Sequence, residues 1–431
     1  MKLAKYIWGL QVLGIALNFT SLGPVAGTVI IALVDGLYFT YLFMLHLTRK
    51  RKLRHMGFPR ADRSFGAASI LGAFLLTWCC ASLLWAPVPA TAAPYCGEYV
   101  IQVLTAYLLC RLYRVQDVLR NVCEGTMYAA TVLIPLSALL TGFSLDSRLG
   151  SLSDTFAVSM ISNQACLGLL GLSYLVLGGC LSKKRAILPA LFLFAGLYFT
   201  FAKTEIIALA VAAAAYVLVI PGSWRQRWTR IFWMLFGTAV SLALLSTKIA
   251  AYRSLASSGT LSGRMILWAE TLIQISSGPF LRGFGVFAFR EIGPVPFHDL
   301  SRVVHAHNEF LTIWFNFGLV GIALVFSMYF VLGAKSLRAT FRKAEPESAL
   351  AFCAVVFTLV LGLASANGVL TVLPIPWILV LDSAVRRHGT DRVQAEGSGG
   401  ARNRRKTVQA VELRLGGATA GSPGAKACES F

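Results

Sequence analysis

A chain of 431 residues that is 56% hydrophobic and only 13% charged falls outside the soluble globular class, where charged residues make up about 25%. Its formal net charge of +20 would point to nucleic acid in a soluble protein. Here the Lys and Arg residues gather in short clusters between apolar runs and in the tail, which reports membrane orientation and excludes a nucleic-acid partner. The nine cysteines lie mostly inside apolar runs (Cys79, Cys80, Cys110, Cys166, Cys180, Cys353), with no Cys-x-x-Cys pair, so neither a disulfide framework nor a metal knot is expected.

A helix needs about 20 apolar residues to cross the hydrocarbon core. That ruler places spans near 6–22, 25–47, 64–85, 97–113, 122–142, 157–180, 186–202, 204–220, 231–248, 311–333, 349–368 and 369–382. The expected fold is an all-α polytopic membrane protein of about 12 transmembrane helices. The N-terminal run behind Lys2 and Lys5 has the look of a signal peptide, but a second apolar run follows at once, so it reads as a retained first helix. Under this count five basic clusters share one side with both termini: Arg49-Lys50-Arg51-Lys52, Arg111 with Arg114 and Arg120, Lys183-Lys184-Arg185, Arg225-Arg227-Arg230, and Lys335-Arg338-Arg342-Lys343. The positive-inside rule makes that side cytoplasmic.

The opposite side carries 86–96, 143–156 and a large periplasmic loop, 249–310, between the ninth and tenth helices. About 60 residues is too long for a plain connection. Within it, Met265 to Ile275 and Phe280 to Phe289 are expected as amphipathic helices on the bilayer surface. Residues 1–382 form one membrane domain, and 383–431, rich in Arg, Gly, Ser and Ala, read as a disordered basic cytoplasmic tail able to touch anionic lipid. No internal repeat and no soluble catalytic domain stand out.

Chemistry concentrates where the long loop meets the tenth span, at His305-Ala306-His307-Asn308-Glu309. Ionisable groups at the lip of a membrane helix are costly to hold there and mark function by default. Asn308 suits an N-cap, with Glu309 in the first turn complementing the helix dipole. His307 then stands just before the helix, where the positive dipole end disfavours imidazolium and leaves a neutral ring able to accept a proton. An interfacial His bound to headgroups is the alternative. His305 shares its side only if the backbone is extended there. Upstream, Arg264 and Trp268 are spaced i,i+4 on the first probable helix of the loop. Arg264 can bind phosphate oxygens bidentately, or it can snorkel while Trp268 anchors in the interfacial belt. Gly283 and Gly285 suit a turn, and Gly318 and Gly321 suit close helix packing. Arg148 in loop 143–156, and Lys203 in Lys203-Thr204-Glu205, fall on the same side, where the Lys and Glu either pair or serve a site. Two His with scattered carboxylates lack zinc spacing, so no metal is expected.

Gly263-Arg264 followed by Trp268, then Gly283 and Gly285, then His307-Asn308, Leu311, Gly318 and Gly321 resemble the O-antigen ligase and O-antigen polymerase superfamily, with Arg148 and Asn163 fitting upstream. The resemblance implies glycan transfer from an undecaprenyl diphosphate carrier to an acceptor hydroxyl on a lipid or glycan, at the periplasmic face of a bacterial inner membrane. It implies no metal and no cofactor. Arg264 and Arg148 would bind the diphosphate, His307 would assist the acceptor, and inversion at the anomeric carbon is implied. Where the family often has Ser-Arg, this chain reads Lys203-Thr204-Glu205, so an anion stands at an expected cation position. Three functions compete: a ligase, a polymerase of O-antigen or exopolysaccharide, and a flippase or transporter for a lipid-linked sugar. A transporter would account for membrane charges but not for a large loop carrying its own Arg and His.

Overall fold

The computed structural model describes residues 23–55, 66–140, 155–200, 203–219, a few positions between 225 and 232, 261–294, 305–343, 345–363 and 375–386. In chain order the helices are α1 (Gly23–His55), α2 (Ala67–Ala81) running into a 3-10 turn at Ser82–Trp85, α3 (Pro89–Leu112), α4 (Val115–Leu140), α5 (Thr155–Leu177), α6 (Lys183–Thr200), α7 (Lys203–Val219), α8 (Leu261–Ser277), α9 (Ala288–Ile292), α10 (Glu309–Lys343), α11 (Pro346–Gly362) and α12 over 375–386. No strand occurs among the described residues. The composition demands this, because lipid offers backbone groups no partners and a helix satisfies its own. Hydroxyls follow the same rule: Thr77, Ser137 and Thr358 each donate to the carbonyl four residues back.

Three described stretches are long and apolar enough by themselves to cross a bilayer: Ala67–Trp85, Val115–Leu139 and Glu309–Arg342. The expected span 6–22, and all of 231–248 except Phe232, lie outside the described residues. Segment 86–96, expected as a loop, is helical from Pro89, which sits in the first turn where no amide is needed. The stretch Phe280 to Phe289, expected as an amphipathic helix, is instead a series of turns, with α9 beginning only at Ala288. The tail boundary expected at 383 also moves, since helix continues to 386; residues 387–431 lie outside the described set.

Close approaches hold the helices together, since apolar side chains gain little by leaving lipid for one another. A Cβ on Gly171 of α5 would come within 3.2 Å of the Cys123 carbonyl on α4, so the two backbones nearly touch. Asp382 on α12 is fully buried. It accepts hydrogen bonds from the Ser69 amide at 3.1 Å and hydroxyl at 2.7 Å, and pairs with Lys335 of α10 at 2.7 Å. One carboxylate thus ties α2, α10 and α12.

The tenth span departs most from expectation. It is not one rod over 311–333, because Gly318 adopts φ 67 and ψ −169 in its middle. Phe310 and Phe326 are 16 positions apart (326 − 310), which a straight helix would separate by about 24 Å. Their rings stack at 4.8 Å. The chain therefore folds back at Gly318, and the short limb Glu309–Phe317 lies against the long limb that follows.

Candidate active site

The break at Gly318 leaves backbone groups without helical partners, and each is satisfied from outside. The Phe315 and Asn316 carbonyls accept from the amides of Phe284 (2.9 Å) and Gly285 (2.8 Å). The Phe317 carbonyl accepts from Trp78 Nε1 at 2.9 Å. The amides of Leu319 and Val320 donate to the Phe280 and Leu281 carbonyls at 3.0 and 3.2 Å. Four of these five bonds seat residues 280–285 in the break, and the fifth ties it to α2. A Cβ on Gly318 would overlap the Leu281 carbonyl and the Gly283 amide. Gly318 is thus a backbone hinge and not the packing residue its spacing suggested. Asn316, 2% exposed, adds a side-chain bond by accepting the Phe289 amide at 2.9 Å at the start of α9. Around this seam Phe284, Phe289, Phe315, Leu267, Ile275, Ala288 and Ala306 close a small apolar core.

The fold-back carries the start of the short limb down beside Phe326, about 10 Å below the first residues of the long limb. Asn308 caps it as expected: its Oδ1 accepts the Leu311 amide at 3.1 Å, and its Nδ2 donates to the Leu363 carbonyl past the end of α11 at 3.1 Å. Glu309 is buried in the first turn, with its Cβ against Gly362. Just before the cap the chain is held group by group. Trp268 Nε1 donates to the Ala306 carbonyl at 2.8 Å, and the Ala306 amide donates to Thr312 Oγ1 at 3.2 Å. The His307 amide donates to His305 Nδ1 at 3.2 Å. His307 itself has φ 52, a left-handed conformation uncommon for a residue with a Cβ. The two imidazoles meet edge to face at 4.5 Å.

Electrostatics follow from this enclosure. Burial first, then His305, then the Arg264 guanidinium push His307 down to about 4 from the ordinary 6.5. The ring is neutral through the physiological range, and desolvation is the largest cause. Arg264 and Trp268 occupy successive turns of α8, so the helix that supplies the cation also clamps the loop bearing His307. A neutral imidazole beside a guanidinium can accept a proton while the cation holds an anion.

The remaining candidates divide. Arg148 lies outside the described residues. Lys203 begins α7, its side chain outside the description, while Glu205 is buried and accepts the Ser162 hydroxyl of α5 at 2.9 Å. Next to Ser162, Asn163 is 6% exposed, and its Oδ1 has no hydrogen-bond partner among the described residues. Among the described residues no group of three or more His, Cys, Asp or Glu could hold a metal. Sequence reasoning missed Trp78, Asn316 and the His305–His307 bond. The first two sit in apolar helical runs and carry no local signal; the last depends on a left-handed residue that only the fold imposes.

Comparison with curated proteins returns no match. A family model described as O-antigen ligase does match, over residues 188–326, from α6 to the Phe326 that stacks on Phe310. That interval contains Arg264, Trp268, His305, His307, Asn308 and the Gly318 hinge, and over it the chain is similar to the O-antigen ligase family.

Proposed function

We propose that this protein transfers a glycan from an undecaprenyl diphosphate-linked donor to an acceptor hydroxyl at the outer face of a bacterial inner membrane. The observation that carries the reading is the neutral His307 imidazole, half-buried on a strained turn and within electrostatic reach of Arg264. In the step proposed, His307 takes the acceptor's hydroxyl proton as that oxygen bonds to the anomeric carbon. The bond from that carbon to the diphosphate breaks, and the lipid diphosphate leaves with the electron pair. Arg264 takes up the growing negative charge, which a positioned guanidinium stabilises most in a water-poor site. Displacement from the opposite face inverts the anomeric centre. Arg148 and Lys203 are proposed as further phosphate ligands from their place in the sequence, with both termini cytoplasmic.

Donor binding itself strengthens the base. Arg264 is one of the charges that depress His307, so a diphosphate that neutralises the guanidinium lets the imidazole hold a proton more readily. Purified full-length protein in lipid nanodiscs, given undecaprenyl diphosphate-linked glycan and excess EDTA, should form product. His307→Ala and Arg264→Ala should each lose about 100-fold or more. Strict dependence on magnesium or manganese, or use of a nucleotide sugar, would overturn the reading. Product on a core-type acceptor marks a ligase, and a ladder on the carrier marks a polymerase.

A further inference from the structure

We infer that His305 is a positioning residue, whose Nδ1 holds the left-handed turn that aims His307 at the acceptor; this rests on the proposed role of His307. Four backbone groups of the turn 305–308 carry hydrogen bonds. The Ala306 carbonyl goes to Trp268, the Ala306 amide to Thr312, and the Asn308 carbonyl receives both the Thr312 amide and the Thr312 hydroxyl. Among the described residues the His307 amide is held by the His305 ring alone, at 3.2 Å. That bond spans two residues, the arrangement in which an Asn or Asp side chain closes a turn on the backbone two positions on. His305 plays that part with an imidazole nitrogen.

Two consequences follow from the geometry. Nδ1 is an acceptor, so a neutral His305 carries its proton on Nε2 and does not present Nδ1 as a base. The bond also supports an unfavourable backbone state, because His307 at φ 52 places its Cβ against the carbonyl. Without the His305 acceptor, the His307 amide is unpartnered and the residue is free to relax toward negative φ. The ring of His307 would then swing away from its edge-to-face contact with His305. Misplacement of a reacting group by about 1 Å can cost on the order of 100-fold in rate.

Side-chain geometry supplies a discriminating series. Asn Oδ1 occupies the place of His Nδ1, whereas Gln Oε1 occupies the place of Nε2. His305→Asn should recover activity to within several-fold of the natural protein. His305→Ala and His305→Gln should lose roughly 10- to 100-fold in kcat with little change in KM for either substrate. Hydrogen exchange of the full-length protein in nanodiscs, read on a peptide covering 306–311, should show protection in the natural protein and in His305→Asn, and its loss in His305→Ala. If His305→Asn is as impaired as His305→Ala, the ring itself does chemistry and the inference is wrong. Natural activity in His305→Ala also overturns it. The His307→Ala variant separates the two ideas: full transfer there removes the base reading, and with it the group to be positioned, whatever the exchange data show.

Discussion

Replacing Gly318 with Ala should unseat the site, although the change adds only a methyl group. At φ 67 and ψ −169 the residue lies in a region open essentially to glycine, and forcing another residue there costs about 1–3 kcal/mol. The added Cβ would overlap the Leu281 carbonyl and the Gly283 amide, so residues 280–285 must withdraw. Withdrawal exposes the seam in which four backbone bonds join that loop to the break. Losing even two of them, at about 1 kcal/mol each, brings the total to roughly 3–5 kcal/mol. A domain is stable by only about 5–15 kcal/mol. Thermal unfolding of detergent-solubilised protein, followed by fluorescence-detected size exclusion, should show a large drop for Gly318→Ala, and transfer should be lost. Gly333 on the long limb is the control: its Cβ would meet only Val355 Cγ1 at 3.3 Å, so Gly333→Ala should shift stability by no more than about 1 kcal/mol. A Gly318→Ala protein with natural stability and activity would refute the fold-back.

Other variants test neighbouring parts. Arg264→Lys should recover only part of the activity lost in Arg264→Ala, since the bidentate fork is gone, and initial rates with varied donor will show it. Because the folded protein holds His307 down to about 4, the unfolded chain binds the proton more readily between pH 6.5 and 4. Its contribution to stability is therefore complete above about pH 6.5 and declines as pH falls toward 4, which His307→Gln should abolish in unfolding scans across that range. Asn316→Ala should destabilise the protein by about 1–3 kcal/mol by leaving the Phe289 amide unpartnered, whereas Asn316→Asp retains the acceptor. Asp382→Ala should cost about 3–5 kcal/mol because Lys335 loses its partner at the edge of the bundle, and a double Asp382→Leu, Lys335→Met variant should recover part of that loss in the same melting assay.

The helical, membrane-embedded class was legible in the sequence because it depends on composition and length, which are properties of each segment alone. The cap was legible for the same reason: Asn308 bonds the Leu311 amide three residues on, and such a contact depends on local spacing. His307 and Arg264 could be picked out as chemistry at a costly place, but not brought together. Gly318 shows where local reading stops. Its spacing from Gly321 suits helix packing, and an apolar run of this length reads as one rod. The hinge exists because a segment more than thirty positions upstream and Trp78 of α2 supply hydrogen bonds that repay the broken helical ones. Phe280 to Phe289 lost its expected helix to the same seam, its amides and carbonyls taken by the break. The sequence by itself determined that the chain is built of apolar helices and which residues could do chemistry. Only the tertiary structure decided that the tenth span doubles back, lowers His307 beside α11 and turns it left-handed onto His305, because those features are held by contacts between segments distant along the chain.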